Sequence, residues 1–256
     1  MRCSRRCGAV LLMAVLAGCS TTHIALKPQT MANVRRMAVT YLSVPTYPTV
    51  EGVATLPFTF EIRSTWPSER IVKTEGRVIL EELGKIPGVT LIPAQDVTAS
   101  RAYKSLSSGP DLVPTVRCPF GLSRIGLGAS GYAALAKALD VDLMVTVTSN
   151  VTTVGLGGGG NMTIGDTERT LRAAATVAAF DRAGAQVYTE RDIGAVSAKT
   201  FMSNSAVPND NEAYVEVAED VFRNLGKKVA DRFTKAKQQQ QPPPAKAPPA
   251  RKVRGK

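Results

Sequence analysis

Hydrophobic residues recur along the chain in two periods, and together they predict an alternation of strands and helices. Short apolar runs and an apolar period of two are typical of strands. They occupy residues 34–42, 89–93, 143–154, 170–180 and 185–195. Apolar residues three and four positions apart are typical of helices. They occupy residues 67–84, 94–106, a short stretch ending at 139, and 211–234.

Glycine, proline and charge patterns indicate where these elements end. Gly84 and the Pro-Gly pair at 87–88 stop the first long helix, in which Gly76 allows close packing. Residues 181–184 predict a tight hairpin turn between the last two strands. The last helix has its acids early and its bases late, as the helix dipole favours, and it carries an apolar face. This face comprises Tyr214, Val217, Val221, Leu225, Val229 and Phe233.

The first 23 residues have the order of charge and hydrophobicity that is typical of a bacterial secretory signal. Arg2, Arg5 and Arg6 form a basic start, and residues 10–16 form an apolar run. This run is far shorter than the roughly 20 residues that a membrane-spanning helix needs. It closes on Leu-Ala-Gly-Cys at 16–19, which resembles a bacterial lipobox. The alternative is an ordinary signal peptide with a chance cysteine.

The lipobox resemblance implies that residues 1–18 are removed and that Cys19 carries a diacylglycerol and an amide-linked palmitate. Several acyl chains, each contributing about 0.8 kcal/mol per buried CH₂, make such an anchor effectively permanent. In similar lipoproteins a residue other than aspartate after the cysteine directs sorting, so Ser20 implies the outer membrane. We therefore expect an outer-membrane lipoprotein that faces the periplasm.

Composition is that of one folded domain with polar ends. The chain has 256 residues, of which 44% are hydrophobic, and this suffices for one sizeable core. Its net charge of +11 is concentrated at residues 2–6 and 235–256, which hold ten bases and no acid, so about +1 remains for the rest. A nearly neutral exported domain argues against a nucleic-acid partner.

The polar ends set the expected limits of the domain. We expect residues 19–33 to form a low-order lipidated tether and residues 34–234 to form the α/β periplasmic domain. Residues 235–256 are rich in Gln, Pro and Lys, so we expect a disordered tail. The tail either solubilises the protein or contacts an anionic envelope polymer through its bases.

Cysteine and histidine usage excludes several classes of enzyme. Cys3 and Cys7 leave with the signal and Cys19 is acylated, so no intrachain disulfide forms in the mature chain. The lone His23 lies beside the anchor, so histidine-dependent triads and zinc motifs are absent and Cys118 lacks an activating base. We expect Cys118 to be a buried small residue, and we expect no enzyme activity, cofactor or metal.

Two glycine clusters fit the spacing of a dinucleotide-binding loop. Gly126, Gly128 and Gly131 precede a helix, but two prolines and no convincing strand lie before them, and no acid follows to hold a ribose. We interpret them as the glycine-rich start of a helix. The second cluster, at 155–160, lies between two strands and is typical of a hairpin tip rather than a phosphate site.

The order of elements resembles that of a group of periplasmic lipoprotein domains. The resemblance lies in the strand at 35–39 (Arg-Arg-Met-Ala-Val), the segments at 88–96 and 134–145, the turn at 181–184 and the last helix. This group comprises relatives of the TolB amino-terminal domain, the curli secretion channel (CsgG-like) and LpoB-type activators of peptidoglycan synthases. The resemblance implies an anticodon-binding-like α/β sandwich, with helices on a mixed sheet, and a role in binding rather than catalysis. It carries over no site residue.

Two functions within this group stay open from the sequence. An accessory or assembly lipoprotein would bind an envelope protein, whose identity the sequence does not give. A CsgG-like channel subunit would need two amphipathic hairpins with strands of about 9–11 residues that enter the membrane. One candidate hairpin surrounds 155–160, but the second position, 195–211, is too short and too polar. The sequence therefore favours the accessory role.

A proline-rich segment at 43–66 holds the aromatic residues that we expect at a partner surface. They are Tyr47, Phe58, Phe60 and Trp66, and Trp66 is the only tryptophan in the chain. Amphipathic aromatic side chains are over-represented at binding hot spots. The alternative is that these residues cover the core.

Overall fold

A computed structural model describes residues 23–45, 49–50, 69–106, 116–155, 167–203 and 212–239, and it confirms a single α/β domain. The strands are β1 (Arg36–Pro45), β2 (Thr49–Val50), β3 (Thr90–Leu91), β4 (Val116–Arg117), β5 (Leu143–Gly155), β6 (Thr167–Asp181), β7 (Gln186–Val196) and β8 (Phe201–Ser203). The helices are α1 (Pro28–Ala32), α2 (Glu69–Leu83), α3 (Ala94–Ala99), α4 (Arg101–Ser105), α5 (Gly128–Leu139) and α6 (Glu212–Gln238), with a 3₁₀ turn at Pro119–Gly121.

The sheet is mixed, as expected, because its first strands are parallel and its last strands are antiparallel. The main order is β3-β1-β5-β6-β7, in which β3 and β5 run parallel to β1, while β6 and β7 run antiparallel to their neighbours. Short strands extend it, since β4 pairs with β1, β2 with β5 and β8 with β6. The β5–β6 ladder is continuous from Leu143 and Asp181 to Gly155 and Arg169.

Helices α2 and α6 pack together on one face of the sheet. Alternation along β6 turns the buried residues 171–179 of odd number toward this face, and three of these five residues are alanines that let the helices approach closely. A Cβ on Gly226 of α6 would lie 3.1 Å from the Cα of Ile79 in α2, so the two helices are in near-backbone contact. The apolar face predicted for the last helix is buried throughout.

Helix α5 covers only part of the opposite face, the part near the β6–β7 turn. Its Tyr132 stacks on Phe180 of β6 with ring centroids 3.7 Å apart. Gly184, in the β6–β7 turn, has a φ of 79° and touches this helix so closely that a Cβ would overlap the Ala129 carbonyl oxygen. The rest of this face, along the second half of β5, is polar, since Thr148 and Asn150 are exposed. The half-exposed strand predicted from the period of two is therefore confirmed for this part of β5.

The domain has two distinct ends. We call one the loop end, where β1 and β5 finish and α2 and α6 begin. The other is the turn end, where β1 and β5 begin and the β6–β7 turn lies. Helix α6 finishes there, since the Lys237 ammonium donates hydrogen bonds to the carbonyl oxygens of Val34 and Gly88.

The folded region begins before the boundary that we expected at residue 34. Ile24 forms an antiparallel bridge with Thr189 of β7, and Met31 of α1 has no exposed surface. The low-order tether predicted for 19–33 is thus wrong from residue 23 onward. Leu26 and Met31 supply apolar surface to the core, and the outer edge of β7 supplies the pairing groups.

The last helix also continues beyond the end that we expected at Thr234. It reaches Gln238, because Ala236 is buried and Lys237 is bound to two carbonyl oxygens.

The helix predicted over 94–106 is instead two short helices, since Ser100 between them has an extended backbone with ψ of 134°.

Candidate partner-binding end of the domain

Every site residue predicted from the sequence lies outside the described part of the chain. These residues are Cys19, Tyr47, Phe58, Phe60 and Trp66. The elements on either side of the aromatic segment are described, since β1 ends at Pro45 and α2 begins at Glu69. Between them β2 pairs in parallel with the end of β5. The aromatic segment therefore joins the fold at the loop end, beside β5.

The starts of α2 and α6 are tied together at this end. The Arg70 guanidinium donates two hydrogen bonds to the Glu212 carboxylate, at 2.8 and 2.9 Å. Hydrogen bonding to Arg70 and its positive charge lower the pKa of the Glu212 carboxyl. Both side chains are more than half exposed, so this pair fixes position more than it stabilises the fold.

The exposed large apolar side chains of the described residues lie at the loop end. They are Phe120, Val196 and Met202, with 38%, 52% and 57% of their surface exposed. Val196 pairs opposite Arg172, and Met202 pairs opposite Glu168. Because residues 168 and 172 of one strand point to the same side of the sheet, Val196 and Met202 lie on the same face. Two exposed apolar side chains thus lie on the same face of the sheet beside the start of β6.

Phe120 lies on the other flank of the loop end, in a conformation that is costly for its residue type. Its φ of 59° places it in the left-handed region, at a cost of order 1–3 kcal/mol for a bulky side chain. The preceding Pro119 packs so tightly against Gly76 of α2 that a Cβ on Gly76 would lie 2.5 Å from the proline Cγ. This contact confirms the predicted role of Gly76, against which the edge of the Phe120 ring also packs while 38% of the Phe120 surface stays exposed.

The connection between β7 and β8 is held rigidly against α6. The Asp220 carboxylate accepts hydrogen bonds from the Ser197 hydroxyl and from the Ala198 amide, both at 2.8 Å. The Thr170 hydroxyl donates to the carbonyl oxygens of Ser197 at 3.2 Å and of Lys199 at 3.0 Å. The backbone beside Val196 is therefore fixed before any partner binds, which lowers the entropy cost of binding.

A buried carboxyl group lies beneath the loop end. Glu75 is on the buried side of α2 with 2% of its surface exposed, and its Oε2 has no hydrogen-bond partner among the described residues. Burial raises the pKa of the Glu75 carboxyl well above its usual range. Burial also raises the pKa of the Tyr214 phenol, and a negative charge on the nearby Glu75 would raise it further. The fold therefore favours the neutral form of Glu75.

The first glycine cluster begins α5, as predicted. Gly126 and Gly128 have φ of 68° and 65°, and Gly128 is the first residue of the helix. A Cβ at either position would meet no atom within 4 Å, so the positive φ alone accounts for glycine at both. Gly155, the first residue of the second cluster, is the last residue of β5, and the other residues of this cluster lie outside the described ranges.

Within the described ranges, no group of three or more His, Cys, Asp or Glu side chains could hold a metal ion. Cys118 is half-buried, so the expectation of full burial is wrong. No helix in the described part of the chain combines the length and the apolar character needed to cross a membrane.

Four residues of the loop end were not predicted from the sequence. Phe120, Val196 and Met202 are single apolar residues in irregular or edge positions, so no periodicity marks them as exposed. Glu75 did carry a signal, because it lies four residues after Ile71 and four before Ile79 on a helix whose apolar face was predicted.

Comparison with known proteins adds no further assignment. No protein-family model matches the chain, and no curated protein matches it. The function is therefore inferred from the sequence, the fold and the geometry of the loop end.

Proposed function

We propose that this protein is an outer-membrane lipoprotein, anchored by Cys19 and facing the periplasm, that binds an envelope protein through its loop end and catalyses no reaction. The observation that carries the proposal is the placement of Phe120, Val196 and Met202, which are exposed at the loop end. The docked N-terminal segment lies elsewhere, at Thr189 of β7. Anchor and binding surface would therefore not compete for the same side of the domain.

Two further features support a binding role. Aromatic and methionine side chains are enriched at protein interfaces, and a rigid backbone reduces the cost of ordering them. The α/β fold is also the one implied by the resemblance to the TolB, CsgG and LpoB group of envelope domains. Within that group, the accessory role is the one that needs a protein-binding end and a lipid but no channel-forming segment.

Site-specific photo-crosslinking in the bacterium that carries the protein tests this proposal. A photoreactive phenylalanine analogue is introduced at Phe120 or Met202, at the loop end, and at Gln186 or Lys235 as matched exposed controls. We expect the loop-end positions to give one discrete protein adduct that the controls do not give. The same adduct from all four positions, or none from any, contradicts the proposal.

The identified partner then allows a quantitative test. Replacing Phe120 and Met202 together by alanine should weaken binding about tenfold or more, as expected for hot-spot side chains. Arg191→Ala, which removes an exposed side chain of β7, should change the affinity by less than about threefold. Sizing the detergent-extracted protein separates the channel alternative, since a large ring would favour a channel subunit and a small species the accessory role.

A further inference from the structure

The loop that leads into α5 has a backbone of alternating hand. Gly126 and Gly128 have positive φ, of 68° and 65°, whereas Leu127 between them is right-handed, with φ of −69° and ψ of −8°. Successive residues of opposite hand turn their amide N–H groups toward one point and form a concavity, called a nest, that attracts anions. Residues 126–128 form such a nest at the surface, since both glycines are exposed.

The amides of this nest are available to a ligand. Gly126 and Leu127 precede the helix, and neither amide donates to a backbone oxygen in the described part of the chain. The first amides of an α-helix have no acceptor within the helix. No side chain of the described residues caps α5, and its first turn contains no acid. The positive end of the helix dipole therefore adds to the attraction of the nest for an anion.

A buried hydroxyl group is directed at the same nest. Tyr132 has 2% of its surface exposed, and its hydroxyl has no hydrogen-bond partner among the described residues. Burial raises the pKa of the Tyr132 phenol, while the nearby amides of Gly126 and Leu127 lower it by a smaller amount. Because these amides face the phenol oxygen, its proton can be donated to a further acceptor. An unpaired buried hydroxyl group is costly, so an acceptor bound beside it is favoured.

A groove lies beside the nest, between the start of α5 and the β6–β7 turn. Its volume is about 530 Å³, which is in the usual range of small-molecule sites. Both glycines of the nest line it, and the stacked rings of Tyr132 and Phe180 form one wall. The described lining is mostly glycine, alanine and other apolar residues, and it contains no charged side chain. The groove therefore suits an apolar body whose polar end lies in the nest.

We propose that this groove binds a small apolar carboxylic acid, with the carboxylate in the nest of residues 126–128 and the apolar body against the rings of Tyr132 and Phe180. The amides and the Tyr132 hydroxyl supply hydrogen-bond donors to both carboxylate oxygens, and bonds of this kind to an ionised acceptor are the strong ones. The site lies away from the loop end, so this inference goes beyond the proposed function and does not rest on it.

Two features of the groove favour a small carboxylic acid over other anionic ligands. A phosphate monoester carries a charge of about −1.5 to −2 at neutral pH, and the described lining offers no cation to balance it. An extended peptide is commonly held by a free strand edge. The strands β5 and β6, which line the groove, are each paired on both sides, so they offer no such edge.

Titration of phenylacetate, 4-phenylbutyrate and octanoate, followed by NMR of the isotope-labelled protein, tests the proposal. The protein begins at Ser20, so it keeps every described residue. We expect at least one acid to shift the amide resonances of residues 126–128 to saturation, and its neutral amide analogue and acetate each to bind at least tenfold more weakly. No saturable shift with any acid, or equal affinity for acid and amide, overturns the proposal. Tighter binding of phenyl phosphate or of the peptide Ala-Ala-Phe overturns the assigned class of ligand.

Three variants locate the site. Tyr132→Phe keeps the ring and removes the hydroxyl, so it should reduce the preference for acid over amide about fivefold. Ser130→Glu adds a carboxylate to the first turn of α5, which favours the helix, and should weaken acid binding at least fivefold by repulsion. The control Ala138→Glu adds the same charge at an exposed position about 12 Å farther along the helix, and should change the affinity less than twofold. Melting temperatures show that all three variants fold. Equal effects of the two Glu variants, or an unchanged acid preference in Tyr132→Phe, refute the proposed site.

Discussion

The buried Glu75 predicts an unusual dependence of stability on pH. Its pKa is raised well above 4.5 in the folded state by burial, whereas the unfolded chain releases the proton near 4.5. Between these two pKa values, each pH unit favours the unfolded state by about 1.4 kcal/mol. The stability contributed by neutral Glu75 is thus complete below pH 4.5 and is lost progressively as pH rises toward the raised pKa.

Glu75→Gln tests this relation because glutamine keeps the shape of the neutral carboxyl group and does not titrate. We expect the stability of the variant relative to the native protein to increase by about 1.4 kcal/mol per pH unit above 4.5, up to the raised pKa. The buried amide adds an offset that is the same at every pH. Denaturant titrations of the protein beginning at Ser20, at half-unit steps from pH 5 to 8, give both quantities.

Glu216→Gln is the matched control, since 65% of the Glu216 side chain is exposed. It should change the free energy of unfolding by less than about 0.5 kcal/mol at each pH. Parallel stability curves for Glu75→Gln and the native protein would refute the reasoning, because they would mean that Glu75 is ionised in the folded state. An unchanged denaturant slope is required for either conclusion.

Other changes give simpler outcomes. Cys19→Ser should release the protein from membranes or leave it as an uncleaved precursor, which fractionation and mass spectrometry detect. Trp66→Ala with Phe60→Ala should weaken capture of the crosslinked partner while the melting temperature stays within a few degrees. A large loss of stability would instead assign both side chains to the core. Gly184→Ala should cost about 3 kcal/mol, from its φ of 79° and the absence of space for a Cβ. Gly155→Ala, where a Cβ meets nothing within 4 Å, should change the free energy of unfolding by less than about 0.5 kcal/mol.

The sequence predicted the features of the fold that depend on local periodicity. The apolar face of α6 and the alternation along β5 each reflect contacts with a continuous surface, so their spacing reveals them. The hairpin turn at 181–184 was also predictable. There the Asp181 carboxylate accepts hydrogen bonds from the Ala183 and Ala185 amides, a local motif that needs no distant partner.

Features that depend on distant partners were not predictable. The docking of 23–33 requires the outer edge of β7, more than 150 residues away in the chain, and a short segment such as α1 has no period to reveal it. The exposure of Phe120 depends on how Pro119 packs against Gly76. The predicted site residues remain predictions, because the structure describes only the points at which their segments join the domain.

The bridge between Ile24 and Thr189 also determines how the domain responds to mechanical load. A pull between the proposed lipid on Cys19 and the proposed partner at the loop end would be transmitted first to this bridge, which consists of two backbone hydrogen bonds. Two such bonds separate one after the other more easily than the long β5–β6 ladder shears. Once they yield and α1 detaches, the twelve residues 24–35 provide roughly 40 Å of slack before β1 bears the force. With the proposed lipid and partner in place, the N-terminal segment would extend before the sheet bears the force and would lengthen the reach of the loop end.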